Sequence, residues 1–142
     1  MTSLSITTER ARQAAPPAPA AASAPRRRGL HVVIGAGMMG HSLAQRLKAL
    51  GHDVRVVHRT RGRADGPDVE EAFADASRPD DVEDVTEGAA CVYHCARPGP
   101  QEWPPALLWL ARGVAEGTRR NGVRLVVLDD LSAYGHSAAV GP

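Results

Sequence analysis

Three glycines placed between an apolar run and an amphipathic segment constrain the fold of this chain more than any other feature. Gly35, Gly37 and Gly40 follow the apolar, β-branched run Leu30–Ile34 at the spacing G-x-G-x-x-G. In a strand–turn–helix context the first glycine permits a tight turn, the second lets a pyrophosphate approach the backbone, and the third allows the helix to pack closely on the strand. The pattern therefore predicts the first unit of a nucleotide-binding sheet.

A helix and a second strand complete this unit. The sequence predicts a helix from about Met39 to Leu50, with one apolar stripe, and a second strand from Val54 to His58. The first turn of such a helix directs free N–H groups and the positive end of its dipole toward the phosphates. We therefore expect the whole turn to contact a dinucleotide, namely Gly35, Ala36, Gly37, Met38, Met39 and Gly40.

The end of the second strand indicates which dinucleotide this is. NAD-binding domains usually carry Asp or Glu there, about 20 residues after the glycines, to hold the ribose 2′-hydroxyl. This chain has His58 and Arg59 at that point, and Arg61 and Arg63 follow. A guanidinium can bind a 2′-phosphate through two hydrogen bonds. The sequence thus favours NADP over NAD, with a solvated basic loop as the alternative.

The rest of the pattern alternates strands with helices. Further strands are predicted at 69–74, 89–94 and 123–129, and further helices at 79–87 and 106–120. Such alternation implies right-handed crossovers and a parallel sheet. We expect an α/β fold, a doubly wound parallel sheet of the Rossmann type with five strands in the order 3-2-1-4-5 and an incomplete second half. In the last helix the inward stripe is predicted as Leu107, Leu110, Ala111 and Val114.

Composition sets the domain limits and the classes of partner. Residues 1–28 are predicted to be a disordered tail, because they are rich in Ala and Pro and end in three arginines. Residues 29–142 are predicted to form one truncated NAD(P)-binding domain. The formal net charge is +1 and no basic stripe is interleaved with aromatics, so nucleic acid is not an expected partner. No apolar run approaches the roughly 18–20 residues that would span a membrane.

The cysteines and histidines predict neither a disulfide nor a metal site. Cys91 and Cys95 lie on one predicted strand with their Cα atoms about 13 Å apart, which is too far for a disulfide. We expect reduced, buried thiols in a cytoplasmic protein. His94 points to the opposite face of that strand from the two cysteines, and the six histidines show no ligand spacing, so no metal is expected.

The ends of the fourth and fifth strands carry a family resemblance. Val92–Ala96, Trp103–Pro104, and Leu125–Asp129 followed by Tyr134–Gly135 resemble the extended short-chain dehydrogenase/reductases. More narrowly, the chain is similar over residues 30–135 to the atypical NAD-dependent epimerase/dehydratase-like members. This resemblance implies a Rossmann fold, an NAD(P) cofactor, and hydride chemistry on sugar nucleotides or small carbonyl compounds.

The resemblance also implies a role for each matching position. It places Arg59 at the adenosine ribose and Asp75 near the adenine. His58, which ends the second strand beside Arg59, is expected to contact the cofactor as well. Ala76 lies beside Asp75 at the same subsite. Cys95 and Ala96 are implied to lie beneath the ribose on the nicotinamide side.

The departures from the family concern catalysis. Asp130 stands where the family places a substrate-polarising hydroxyl, and no Tyr-x-x-x-Lys pair is present, since Lys48 is the only lysine. The sequence ends at Pro142, before such a segment would occur. We therefore expect the cofactor-binding half of an epimerase, dehydratase or reductase that is not catalytically complete alone, and we assign no catalytic residue.

Two other functions fit parts of the pattern. The chain could be a non-catalytic dinucleotide-binding or redox-sensing module that pairs with a second copy or a complementing chain. The open sheet edge and Leu108–Trp109 would then form its partner surface, although core packing is the simpler expectation for Trp109. The glycine turn also suits dehydrogenases of 3-hydroxy acids or phosphogluconate, but the Tyr-His-Cys-Ala segment does not.

Overall fold

The computed structural model describes residues 29–60, 69–99 and 105–129. Their elements in chain order are β1 (Leu30–Ile34), α1 (Met38–Ala49), β2 (Asp53–His58), β3 (Glu70–Phe73), α2 (Pro79–Thr86), β4 (Ala89–His94), α3 (Pro105–Arg120) and β5 (Arg124–Val127). All pairings are parallel, in the order β3-β2-β1-β4-β5. The predicted Rossmann-type sheet and its strand order are confirmed. The segment 1–28, Arg61, Arg63 and Asp130 lie outside the described residues.

The element boundaries follow local chemistry and agree closely with the prediction. Strands β1 and β4 have the predicted limits, because both are continuous apolar runs at the centre of the sheet. Helix α1 ends where Gly51 adopts a φ of 84°, a left-handed conformation that suits glycine. Strand β3 is shorter than predicted, since it is an edge strand and carries the exposed Glu70 and Glu71.

Apolar side chains are buried on both faces of the sheet. One face, covered by α1, buries Val33, Ala44, Leu47, Val54 and Val56. The other face, covered by α2 and α3, buries Val32, Ile34, Val57, Ala76, Val82, Val92 and Val114. Full burial of one such aliphatic side chain contributes about 1.5–3 kcal/mol. The two layers therefore fix the sheet from both sides and leave its carboxyl edge to the connecting loops.

Helix α3 packs differently from its predicted stripe. Leu110 and Val114 pack toward the core as expected, but Ala111 is exposed. The buried positions of α3 include Gly113 and Gly117 instead. Because these glycines let α3 lie close to α2 and the loop before it, the buried face of α3 includes them and excludes Ala111. The prediction for Ala111 was wrong because it counted only large apolar residues as inward positions.

Strand β5 leaves apolar surface uncovered within the described ranges. Val126, Val127 and Leu128 at its end are 43%, 54% and 45% exposed. Helix α1 lies over β1 and β2 and does not extend to β5. None of the helices in residues 29–60, 69–99 and 105–129 is long and apolar enough to cross a membrane.

Candidate functional site

A cleft of about 980 Å³ opens at the carboxyl ends of the parallel strands. Ligand sites of small molecules commonly measure about 300–1,000 Å³, so the cleft is large enough for a cofactor. The predicted site residues that line it are Gly35, Ala36, Gly37, Met38, Met39, His58, Arg59, Asp75, Ala76, Cys95 and Ala96. Gly40, the remaining one, is buried behind the turn, between α1 and β1.

The cleft lies where the strand order reverses, between β1 and β4. Helices leave the sheet toward opposite faces on the two sides of this point, which opens a crevice beyond the strand ends. Backbone hydrogen bonds continue past the strands and hold its walls. Gly35 N donates to Val57 O at 3.0 Å, and Cys95 N donates to Ile34 O at 2.8 Å. The turn after β1 and the loop after β4 are therefore fixed relative to each other.

The glycine turn needs glycine at two positions for steric reasons. Gly35 has a φ of 102°, and a Cβ there would collide with the backbone of Cys95 and Ala96. At Gly40 a Cβ would collide with the carbonyl of Gly35 and lie 3.4 Å from Val33 Cγ1. Gly40 allows the start of α1 to lie against β1, and Gly35 allows the turn to lie against the loop after β4. Both glycines therefore shape the cleft through packing within the protein.

Gly37 differs from both, because it faces open space. A Cβ built on Gly37 would meet no atom within 4 Å beyond those of its neighbours in the chain. Gly37 is the N-cap of α1, and no side chain caps this helix end. The first intrahelical bond runs from His41 N to Gly37 O at 2.9 Å, so the amides of the first turn have no partner within the helix. A bare backbone and an uncapped helix N-terminus together suit an anionic group.

The loop after β3 is organised by Asp75. Its Oδ1 accepts hydrogen bonds from Ser77 N at 3.0 Å and from Ser77 Oγ at 2.7 Å. Asp75 N in turn donates to Asp81 Oδ2 at 3.1 Å. The hydrogen bonds from Ser77, and then the charges of Arg78 and Arg59, lower the pKa of the Asp75 carboxyl. Asp75 is thus a fixed anion within electrostatic reach of Arg59, which is exposed at the cleft.

The end of β4 contributes small and weakly ionised groups. Burial raises the pKa of the Cys95 thiol, so this side chain is neutral at pH 7. Burial lowers the pKa of His94, which is buried beside the cleft without lining it. Cys91 and Cys95 are both free thiols, as predicted. The described residues at this end can support a ligand by shape but bring together no nucleophile and base.

Sequence reasoning missed the wall that the start of α3 adds to the cleft. Pro105, Ala106, Trp109 and Leu110 line this side. Trp109 was expected to pack in the core, and this was wrong, since the residue is 59% exposed. It lies in the first half of α3, at the open end of the sheet, where no strand or helix of the described ranges covers it. Its spacing from Gly113, Gly117 and Asn121 is the signal that could have placed it.

Comparison with known proteins agrees with this geometry. The model of the family "NAD binding domain of 6-phosphogluconate dehydrogenase" matches residues 32–101, just under half of the chain and including the glycine turn. No curated protein is similar enough in sequence to count as a relative. The matched segment holds the strand, glycine turn, helix and second strand that many classes of dinucleotide-binding protein share.

Solved structures match over more of the chain. Vestitone reductase from alfalfa has a TM-score of 0.65 at 20% identity, covering 75% of this chain and 37% of that protein. UDP-N-acetylglucosamine 4-epimerase from Bacillus cereus has a TM-score of 0.64 at 19% identity, covering 79% and 39%. Uronate dehydrogenase from Agrobacterium tumefaciens, complexed with NAD, has a TM-score of 0.61 at 20% identity, covering 72% and 41%.

The shares of the matched proteins are small in each case. The chain spans less than half the length of the solved structures that it matches. At these identities the likeness to the solved structures concerns the fold alone, and the family match concerns residues 32–101. The chain has a Rossmann fold, and its segment 32–101 is similar to an NAD-binding domain.

Proposed function

We propose that this chain binds a nicotinamide dinucleotide along the cleft, with NADP preferred to NAD, as the cofactor-binding part of an epimerase, dehydratase or reductase. The observation that carries the proposal is the open space at Gly37 beside the uncapped N-terminus of α1. A pyrophosphate could approach this backbone closely and accept hydrogen bonds from the free amides of the first turn.

The proposed placement of the cofactor follows the cleft from β3 to β4. The pyrophosphate lies at Gly37 and the first turn of α1, and the adenosine ribose lies at His58 and Arg59. The adenine lies beside Asp75, and the nicotinamide-side ribose lies beside Cys95. Their neighbours along these loops are Met38, Met39, Ala76 and Ala96, which line the same cleft.

Preference for NADP rests on the charge at the end of β2. Arg59 is exposed at the cleft and follows the strand directly. Its guanidinium can bind a 2′-phosphate through paired hydrogen bonds, whereas no carboxylate at that position accepts the 2′-hydroxyl of NAD. Asp75 lies within electrostatic reach of Arg59 and opposes the phosphate charge, so the net preference depends on how directly Arg59 contacts the phosphate.

Catalysis is proposed to need groups that this sequence does not contain. The bound cofactor would supply the hydride acceptor or donor. A carbonyl that gains a hydride also needs a proton. The 142 residues contain no Tyr-x-x-x-Lys pair, and Lys48, the only lysine, lies on α1. We therefore expect cofactor binding without turnover by this chain alone. The cytoplasmic location stays a prediction.

The test compares NADPH, NADH and buffer with the wild-type chain and the variant R59E. Thermal unfolding and fluorescence titration give the melting temperature and the Kd. A ligand at 100 times its Kd stabilises the folded state by about 2.7 kcal/mol. Arg112→Glu is the matched control, because Arg112 is exposed on α3 and does not line the cleft.

The two parts of the proposal predict different results. If NADPH and NADH leave the melting temperature of the wild-type chain unchanged, dinucleotide binding is refuted. If both bind and R59E weakens them equally, the preference for NADP is refuted while binding stands. The expected result is a much larger loss for NADPH than for NADH in R59E, and none in R112E.

A second candidate is a binding module that completes its sheet with another chain. Among the described residues β5 is an edge strand, and Val126, Val127 and Leu128 at its end are exposed. These observations favour the candidate, because apolar edge strands invite pairing with another chain. The mass in solution, measured with and without NADPH, distinguishes this candidate. A monomer under both conditions counts against it.

A further inference from the structure

Trp109 combines wide exposure with a place in the wall of the cleft. The residue is 59% exposed, and it lines the cleft together with Ala106 and Leu110 of the same helix. A tryptophan usually stabilises a fold by burying its large apolar ring, and an exposed tryptophan lacks most of that stabilisation. The packing of the rest of α3 defines where its ring lies.

Helix α3 packs along α2 through positions spaced four residues apart. At Gly117 a Cβ would lie 2.6 Å from Val82 Cβ, so the backbones of the two helices nearly touch there. One turn later, Asn121 Nδ2 donates to Glu83 O at 2.7 Å. Residues four apart lie on one face of a helix, and advancing along α3 advances along α2 in the same direction.

The same row extends back toward the cleft. At Gly113, one turn before Gly117, a Cβ would lie 2.6 Å from the carbonyl carbon of Ser77 and collide with the carbonyl of Ala76. This contact is already on the loop that precedes α2, which begins at Pro79. Trp109 lies one further turn back, about 6 Å along the axis. Trp109 therefore continues the row beyond the N-terminal end of α2, toward the side of the cleft that Asp75 lines.

Resting on the proposed dinucleotide binding, we propose that Trp109 packs its ring on the adenine of the cofactor and sets the affinity for the adenosine half. Two observations and one general property of tryptophan agree with this assignment. The row of contacts places Trp109 on the side of the cleft that Asp75 and Ala76 also line. The neighbours Ala106 and Leu110 make this wall apolar. Stacking on a base covers a flat indole face without needing a polar partner.

The assignment distinguishes Trp109 from its neighbour Leu108. Leu108 is 52% exposed but does not line the cleft. A general apolar surface on α3 would involve both residues, whereas adenine stacking involves Trp109 alone. Leu108→Ala is therefore the matched control for a change of exposed apolar area on the same helix turn.

The experiment measures binding of NADPH, adenosine 2′,5′-bisphosphate and nicotinamide mononucleotide to the wild-type chain, W109A, W109F and L108A. Base stacking on an aromatic ring changes affinity by about 5- to 150-fold on substitution with alanine. We expect W109A to weaken NADPH and the bisphosphate at least about fivefold. W109F should retain most of the affinity, and nicotinamide mononucleotide should bind equally to all four proteins.

Fluorescence supplies an independent measurement. The chain has two tryptophans, so Trp103→Phe leaves Trp109 as the sole reporter. In this variant the bisphosphate should quench the emission and nicotinamide mononucleotide should not. The proposal is overturned if W109A binds NADPH as tightly as the wild type, or if only nicotinamide mononucleotide quenches Trp109. If the wild type binds no dinucleotide, the proposed function fails, and this inference fails with it.

Discussion

Gly37 and Gly40 have opposite surroundings, and alanine at each should separate cofactor binding from stability. A Cβ at Gly37 would meet no atom within 4 Å beyond those of its neighbours in the chain, and the backbone there has a φ of −67° that alanine readily adopts. A Cβ at Gly40 would collide with the carbonyl of Gly35 and lie 3.4 Å from Val33 Cγ1. We expect G37A to fold normally but bind NADPH weakly, and G40A to be destabilised.

The magnitudes follow from these surroundings. Overpacking a well-packed interior costs about 1–3 kcal/mol, and a backbone carbonyl that holds a turn places Gly40 at the upper end. Alanine in a helix returns about 0.5–1 kcal/mol relative to glycine, so G40A should lose about 2 kcal/mol in net stability. At Gly37 the methyl group would displace one charge-assisted hydrogen bond to a phosphate, worth about 1.5–3 kcal/mol, or about 10- to 150-fold in Kd.

Two measurements on each variant check this reasoning. Urea unfolding followed by circular dichroism gives the free energy of unfolding, and titration with NADPH gives the Kd. G37A should lie within about 1 kcal/mol of the wild type in stability, because the loss of a favourable N-cap residue and the reduced entropy of the unfolded chain offset each other. The reasoning is refuted if G37A is as unstable as G40A, or if G37A binds NADPH like the wild type.

Three further predictions concern stability. Burial lowers the pKa of His94 below its ordinary 6.5, so below about pH 6.5 the unfolded chain binds a proton that the folded chain does not. The free energy of unfolding should therefore be at its full value above about pH 6.5 and fall below it by up to about 1.4 kcal/mol per pH unit. Urea unfolding at about pH 7.5, 6.5 and 5.5 checks this, and H94Q should give a flatter profile. Asn121→Ala removes bonds to Glu83 O at 2.7 Å and Thr86 Oγ1 at 3.0 Å and should cost about 1–2 kcal/mol in urea unfolding. Val114 is fully buried, and V114A should lower the free energy of unfolding by about 2 kcal/mol. A free energy of unfolding within about 0.5 kcal/mol of the wild type would contradict this prediction.

The fold was predictable because its signals are local. Continuous β-branched runs define β1 and β4, and Gly51 ends α1 with a positive φ. Parallel strands joined by helices restrict the possible strand orders to a few. The error at Ala111 had a different origin. Which face of α3 is buried depends on how closely α3 approaches α2, and Gly117 permits that approach without adding any apolar signal to the sequence.

The loop positions of the cleft were also predictable, and its wall was not. Residues such as Ala36, Asp75 and Cys95 directly follow strands, and topology alone brings the carboxyl ends of parallel strands to one edge. Trp109 lies inside a helix, where its side chain direction depends on the crossing of α3 over α2. A large aromatic residue in an amphipathic helix is usually predicted to be buried in the core, so Trp109 was predicted to be buried although it is exposed.

Cofactor binding and chemistry depend on separate parts of a Rossmann enzyme, and this separation explains the two kinds of similarity. The family model from 6-phosphogluconate dehydrogenase matches 32–101, which contains the glycine turn and β2 but ends before α3. That unit meets the requirements of a pyrophosphate and a ribose, so classes with different substrates share it. Proton transfer to a carbonyl needs a separate donor, and the only lysine of this sequence, Lys48, lies on α1. Binding experiments are therefore the decisive ones for this chain, because the groups that would hold the dinucleotide lie within the described residues.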